Sequence, residues 1–385
     1  MDILSVHNSY KIRGGEDESR DAEEYLLKRM GHVVQRYEET NFRVDKLNLL
    51  DTACRTIWSV EAYQTVIAKL TEKKHDIMHV QNFFPLLSPS IYYAAKAKKI
   101  PVVQTLRNYR LLCPNALFFK NGKICEDCIS KPLPLPGVMN GCYRGDRLAT
   151  GVVATMLTLH RVLGTWTEMV DIYIALTNFA RQKFIEGGIP ADKIVVKPNF
   201  VYPDPGKQDD KEDYVLYVGR LSAEKGIDTL LAAWQCLGKH IKLKIVGEGP
   251  LQDQVIEASE KIAGVDWLGP KPLPEVYALM GKAKVLILPS KWYESFGRVV
   301  IEAYAKGTPV IASGIGAMEE IVEHGRTGLH FRPGDSQDLA DQLDELLSDP
   351  AKLVEMGQEA RLEFEAKYTA EVNYKQLMQV YQSVL

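Results

Sequence analysis

The sequence predicts an α/β protein of two doubly wound domains, and three observations carry that prediction. Apolar runs alternate with helix-period stretches from end to end, which is the pattern of repeated βα units. The rhythm breaks at a polar, proline-containing stretch near residues 200–213 and then restarts. At 385 residues the chain is too long for one ordinary domain and suits two.

In the first half the candidate strands are 3–7, 33–37, 77–80, 102–106 and 172–176, separated by amphipathic runs at 18–31, 58–73, 88–99 and 178–187. Residues 113–147, rich in Pro, Gly and Cys, read as an irregular insertion. Prolines, a glycine and a charge cluster then mark a linker. Strands resume at 214–218, 243–246, 285–288 and 309–312. The expected domains are therefore 1–200 and 201–368, with a last helix over 369–385 packing back on the first. Two Rossmann-like domains of this kind are expected to face a central cleft, with ligands at the carboxyl ends of the strands.

The formal charge is −3, but residues 1–199 carry 27 basic and 21 acidic side chains and residues 200–385 carry 20 and 29. The overall balance argues against a nucleic-acid coat protein, so no nucleic-acid partner is expected. The basic front half suits an anionic partner. The longest uncharged apolar stretch, 148–159, falls short of the roughly 20 residues of a membrane helix. Because the chain opens on a strand, no secretory signal is expected, and the protein reads as cytoplasmic, with peripheral contact at the inner face of the membrane the only membrane option. Residues 148–166 could lie on a membrane, but read first as a core helix.

Three segments could carry chemistry. After the first strand, Arg13-Gly14-Gly15-Glu16 could bring backbone close to an anion at a helix start, or be a tight turn. After the strand at 214–218 comes Gly219-Arg220-Leu221-Ser222-Ala223-Glu224-Lys225-Gly226. There two cations on one loop could grip a diphosphate, the alternative being a solvated loop. The third is Glu294-Ser295-Phe296-Gly297, with Glu302 inside the helix that follows. The amides of 295–297 would point from the helix start toward an anion or sugar hydroxyls. Glu302, among apolar residues, needs a hydrogen-bond partner, which ribose hydroxyls could supply. A structural pair, or a hydrolytic acid/base pair, remains an alternative for these carboxylates.

The spacing of Glu294 and Glu302 resembles the E-x7-E element of the family 4 retaining glycosyltransferases, which have the two-domain GT-B fold. Similar too are Gly219-Arg220 with Lys225-Gly226, Gly14-Gly15, Gly307-Thr308-Pro309, Glu319-Glu320-Ile321-Val322 and Gly325-Arg326-Thr327-Gly328. The resemblance implies a nucleoside-diphosphate sugar donor, a glycan or lipid-linked acceptor and a place in cell-surface polysaccharide synthesis. It assigns Arg220 and Lys225 to the diphosphate and Glu302 to the ribose. Glu294 and the amides of Ser295, Phe296 and Gly297 would hold the sugar, and Gly14 and Gly15 would receive the acceptor and diphosphate. It implies same-face attack with retention and no catalytic metal. Arg107 stands where many members have a histidine; it could bind hydroxyls or an acidic sugar, but cannot be a base at neutral pH. His79 is a second cleft candidate, although a lone histidine near a strand end is more often structural. The rival readings are a catalytically silent GT-B scaffold, and a phosphorylase or hydrolase on the same fold.

Cys113, Cys125, Cys128 and Cys142 form C-x11-C-x2-C-x13-C within the insertion. The pattern favours a structural, four-thiolate zinc site. An iron–sulfur cluster, a redox pair at Cys125 and Cys128, or four unligated thiols stay open. Cys54 and Cys236 read as ordinary buried residues.

Overall fold

A computed structural model describes residues 1–11, 14–238 and 241–385. These divide into two compact units. One comprises Met1–Phe118, Cys125–Pro198 and Asn373–Leu385, the other Phe119–Ile124 and Asn199–Val372.

The first unit holds a six-stranded parallel sheet of β1 (Asp2–Ser9), β2 (Val33–Thr40), β3 (Ile77–Asn82), β4 (Val102–Leu106), β7 (Ile172–Ala175) and β8 (Ile194–Val196), in the order β2-β1-β3-β4-β7-β8. The connection reverses direction between β1 and β3. Strands β3 and β4 are buried along their whole length, as expected when helices cover both faces of a parallel sheet. Ile3, Ile77, Val103 and Ile174 pack against Leu377, Val380 and Tyr381 of the helix Ala370–Gln382. The Phe119–Ile124 segment, which belongs to the second unit, forms a short antiparallel hairpin of β5 (Phe119–Lys120) and β6 (Lys123–Ile124). Its turn is Asn121-Gly122, both at positive φ, the conformation a two-residue hairpin needs to match strand twist.

The second sheet contains β9 (Val215–Val218), β10 (Leu243–Val246), β11 (Val265–Trp267), β12 (Val285–Leu288), β13 (Val310–Ser313) and β14 (Gly328–Phe331), all parallel, in the order β11-β10-β9-β12-β13-β14. This is the doubly wound order with its reversal between β9 and β12, where such sheets open to ligands at the carboxyl ends of the strands. Val285, Leu286, Ile287 and Leu288 are all buried; at about 1.5–3 kcal/mol per large apolar side chain, strand β12 anchors the loop that follows it.

Two expectations are corrected. Cys54 and Cys236 are exposed, on the helices Leu49–Ile57 and Ile227–Leu237; each falls on the solvent side of an amphipathic helix, where its position in the turn outweighs the usual preference of cysteine for the interior. The 148–166 segment is not simply a core helix. It forms the helix Arg147–Val162, capped by Asp146, with Leu148 84% and Val162 80% exposed. Among the described residues no helix is long and apolar enough to cross a membrane.

Candidate functional site

In the second unit, the loops after β9, β10 and β12 close on one another at glycines. A Cβ on Gly226, which sits at φ +71°, would fall 1.8 Å from the Pro289 carbonyl oxygen, and one on Gly247 would fall 1.9 Å from that of Gly219. Only glycine fits such backbone approaches. Gly226 ends a 3₁₀ turn, Ala223–Lys225, and starts the helix Ile227–Leu237.

That packing brings Lys225 to Glu294 across the sheet's reversal point. Lys225 Nζ lies 2.6 Å from Glu294 Oε1, which also accepts from Ser290 Oγ at 2.7 Å and Trp292 Nε1 at 2.9 Å. Glu294 is buried, and three donors on one oxygen supply the compensation a buried carboxylate needs. The ammonium lies 5.3 Å from the Trp292 ring centroid and keeps 22% of its side chain exposed, so it can still meet an anion. Arg220 is exposed just past β9, its carbonyl fixed by the Tyr217 hydroxyl at 2.9 Å.

Gly297, at φ +72° and ψ 56°, caps the helix Arg298–Ala305. Among the described residues no backbone carbonyl takes up the N–H of Ser295, Phe296 or Gly297. The Phe296 side chain is core, edge-on to Tyr368 at 6.1 Å, which leaves the backbone as the part of this residue able to serve a ligand. Glu302 lies one turn into the helix, buried, with Arg298 Nε 2.9 Å from its Oε1. Neither Nε nor Nη1 of Arg298 makes an aligned hydrogen bond. Buried donors in this condition are costly and are commonly completed by a ligand or water.

In the first unit, Gly14 caps the helix Gly15–Arg29 and its own N–H is taken by Asp17 Oδ2 at 3.1 Å; Arg13 lies outside the described residues. The adjoining Glu16 accepts from Asn108 Nδ2 at 3.1 Å, so the Gly14-Gly15 loop and the Arg107 loop meet. Burial, outweighing Asn108 and Arg107, raises the Glu16 carboxyl above the usual carboxylate range.

Arg107 is buried, and its Nε and Nη2 donate to Gln81 Oε1 at 2.9 and 2.7 Å. Gln81 Nε2 in turn donates to Glu23 at 2.7 Å, and Glu23 pairs with Lys197 at 3.0 Å. Burial opposes the Glu23 charge, but Lys197, His79 and Arg107 outweigh it and bring the carboxyl down to about 2.

His79 is structural. It is hydrogen-bonded to the Tyr381 hydroxyl at 2.8 Å and to Thr105 Oγ1 at 2.9 Å, and burial, only partly offset by Glu23, brings it down to about 4. Its depressed pKa adds stability that is full above the unfolded value near 6.5 and is lost as pH falls toward 4, about 3 kcal/mol in all. Melting curves between pH 7.5 and 4 are expected to fall less steeply in His79→Gln than in the parent; parallel slopes would contradict this.

The four insertion cysteines form no disulfide. Cys113, Cys125 and Cys142 all raise the Cys128 thiol electrostatically, although burial is the larger cause of its rise to about 11. Cys113 Sγ donates to Asn115 Oδ1 at 2.9 Å. Among the described residues no group of three or more His, Cys, Asp or Glu side chains is drawn together as a metal cage.

The sequence reasoning assigned no part to Ser290, Trp292, Arg298, Gln81, Glu23 or Lys197. Only Arg298, four residues before Glu302, was open to a spacing argument.

Residues 201–363, most of the second unit, match the family of glycosyl transferases group 1. An uncharacterized 42.6 kDa protein in the cps region of Klebsiella pneumoniae is 28% identical over 83% of this chain and 86% of its own. The phosphatidyl-myo-inositol mannosyltransferase of Mycobacterium leprae is 31% identical over 60% of this chain; the match spans 64% of that relative's length, under two thirds. Anabaena Alr3699/HepE, solved in complex with UDP, superposes over the whole of both chains with a TM-score of 0.69 at 19% identity. That likeness concerns the fold: two Rossmann-like, parallel-sheet units of the kind that build GT-B glycosyltransferases.

Proposed function

We propose that the chain, whose residues 201–363 match the glycosyl transferases group 1 family, is a retaining glycosyltransferase of the family 4 type. It moves a hexosyl group from a nucleoside-diphosphate sugar to a glycan or glycolipid in cell-surface polysaccharide synthesis. The observation that carries this reading is the Lys225–Glu294 pair at the reversal point of the second sheet, together with the Arg298–Glu302 ion pair of the helix that follows. A uridine nucleotide is the first donor to try, because HepE was solved with UDP; the mannosyltransferase relative and the cps-region relative support a glycolipid or polysaccharide acceptor.

In this reading Lys225 and Arg220 neutralise the charge that grows on the departing diphosphate, the point where fixed cations lower the barrier most. Glu302, held by its ion pair with Arg298, takes the ribose hydroxyls. Glu294, with the amides of Ser295, Phe296 and Gly297, orients the sugar. The sugar–phosphate bond breaks and the bond to the acceptor oxygen forms on the same face, the acceptor proton passing to the leaving phosphate. Arg107, oriented by Gln81, holds hydroxyls on the first unit near Gly14 and Gly15. The test is release of nucleoside diphosphate from a panel of nucleotide sugars, with the anomer of the freed sugar followed by proton NMR. Release with retained configuration is expected; inversion, or none with any donor, would contradict the proposal.

Two further predictions belong to this reading. Glu302→Ala is expected to weaken nucleoside-diphosphate binding at least about tenfold, since each lost charged hydrogen bond is worth roughly 1.5–3 kcal/mol; equal affinity by calorimetry would remove Glu302 from the donor site. We also propose that Cys113, Cys125, Cys128 and Cys142 close around one structural zinc, their thiols deprotonating as it binds. Four thiolates leave no open position, so the metal would shape the insertion and take no part in the chemistry. Metal analysis of purified protein should find about one zinc per chain; none, with four titratable thiols, would contradict it.

A further inference from the structure

Two arginines of the first unit share one tyrosine ring. The guanidinium carbon of Arg110 lies 5.1 Å from the Tyr143 ring centroid, and that of Arg144 lies 5.4 Å from it. Arg110 is also 4.3 Å from the ring centroid of Phe84, which meets Tyr143 edge-on at 5.6 Å. An aromatic face attracts a cation, so the two rings hold both guanidiniums in place without neutralising either.

No counter-ion accompanies them. Among the described residues neither Arg110 nor Arg144 is ion-paired with a carboxylate. Arg110 gives Nη1 to the Pro114 carbonyl and its backbone N–H to Asn108 Oδ1 at 3.0 Å. Its Nε and Nη2 donate to none of the described residues. Arg107 differs, because Gln81 takes both of those donors there. Arg144 is exposed, at φ +57° in the turn between Gly141 and Gly145, a conformation uncommon for a residue with a β-carbon. Thr150 fixes that turn, its hydroxyl accepting from the Tyr143 N–H at 2.9 Å. Asp146, two residues on, spends its carboxylate on the Ala149 N–H. Two like charges held on one ring, one with half its fork unspent, fit an oxyanion.

The surroundings say whose oxyanion it is. Asn108 Nδ2 donates to Glu16 Oε1 at 3.1 Å, so the Arg110 loop meets the Gly14-Gly15 loop, the acceptor's place in the transferase reading. Glu16 is the carboxyl that acts on Arg110, and burial raises it above the usual range, which weakens it as a counter-ion. The donor diphosphate has its own cations, Arg220 and Lys225, on the second unit. The anion left for Arg110 and Arg144 belongs to the other substrate.

Resting on the transferase reading, we propose that Arg110 and Arg144 bind an acidic group, a carboxylate or a phosphate, on the acceptor sugar. The acceptor is then an acidic glycan, and these two residues select it.

The experiment is an NMR titration of the full chain with methyl β-glucuronide, glucose 6-phosphate and the neutral methyl β-glucoside. At least one acidic sugar is expected to bind at least about tenfold more tightly than the glucoside, the gap narrowing as salt is raised. Whichever acid binds more tightly identifies the group as carboxylate or phosphate. Arg110→Gln with Arg144→Gln should bring all three sugars within about twofold, whereas lysine at both positions should keep part of the preference, as charge without the fork. Melting curves show which variants fold. Arg144 is exposed, so Arg144→Gln alone should fold and lose about threefold of the preference. Equal binding of the glucoside by the parent, no binding of either acid, or a preference undiminished in a folded glutamine variant would overturn the proposal. The double glutamine variant is expected to keep the parent's rise in melting temperature with nucleoside diphosphates. A nucleotide response without the acid preference would therefore sink this proposal alone, and an acid preference without any nucleotide response would sink the transferase reading on which it rests.

Discussion

Lys225→Ala is expected to lower kcat/KM for sugar transfer about a thousandfold, the scale on which removing one group that stabilises developing charge acts. Two losses combine. The diphosphate leaves without the cation that meets its growing charge, and Glu294, buried, loses the ammonium of Lys225 while Ser290 and Trp292 still hold its Oε1 in place. Glu294→Gln separates these effects, since the amide oxygen can still accept from Ser290 and Trp292. Steady-state donor kinetics, with melting curves to show that each variant is folded, decide the matter. A Lys225→Ala enzyme within threefold of the parent would take Lys225 out of the leaving-group site.

Glu23→Ala is expected to destabilise the protein by about 3–5 kcal/mol, the usual cost of leaving one member of a buried ion pair alone. Glu23 and Lys197 are both nearly inaccessible, and Glu23 is also the acceptor for Gln81, which orients Arg107. Removing both charges together, as Glu23→Leu with Lys197→Met, should recover most of that stability, because two apolar side chains avoid the desolvation that the pair must overcome. Recovery of stability without recovery of transfer would assign the pair to positioning Arg107. Denaturant titration reads the first effect and kinetics the second. A melting point of Glu23→Ala within a degree or two of the parent would contradict the account.

The sequence was most legible where strands lie in the middle of a sheet. Strands β3, β4, β12 and β13 are buried on both faces and so must be continuous apolar runs. The strands it did not disclose, β8, β11 and β14, are the outer strands of their sheets and only three or four residues long. An edge strand needs no such run: β11 and β14 mix apolar with polar residues, and the Ile194–Val196 run of β8 is too short to stand out. The β5–β6 hairpin was a different case, since Asn121-Gly122 announces it.

Within the site, legibility followed distance along the chain. Gly219, Lys225, Glu294, Gly297 and Glu302 stood out because short loops after strands and the start of a helix impose local spacing. Their partnerships did not. Lys225 and Glu294 are 69 residues apart, and Gln81 lies 58 from Glu23 and 26 from Arg107; only the closing of the sheets joins them. The exposed face of Arg147–Val162 was hidden for the opposite reason, since a helix apolar on both sides gives no sign of which side is left uncovered.

The most direct measurement is the shift in melting temperature produced by a panel of nucleoside diphosphates and sugar nucleotides, because a ligand of the native state raises stability by mass action. The account predicts a clear rise with one nucleotide, lost in Glu302→Ala and reduced in Lys225→Ala. No rise with any of them, in protein that melts cooperatively, would contradict it and favour a catalytically silent scaffold built on the same fold.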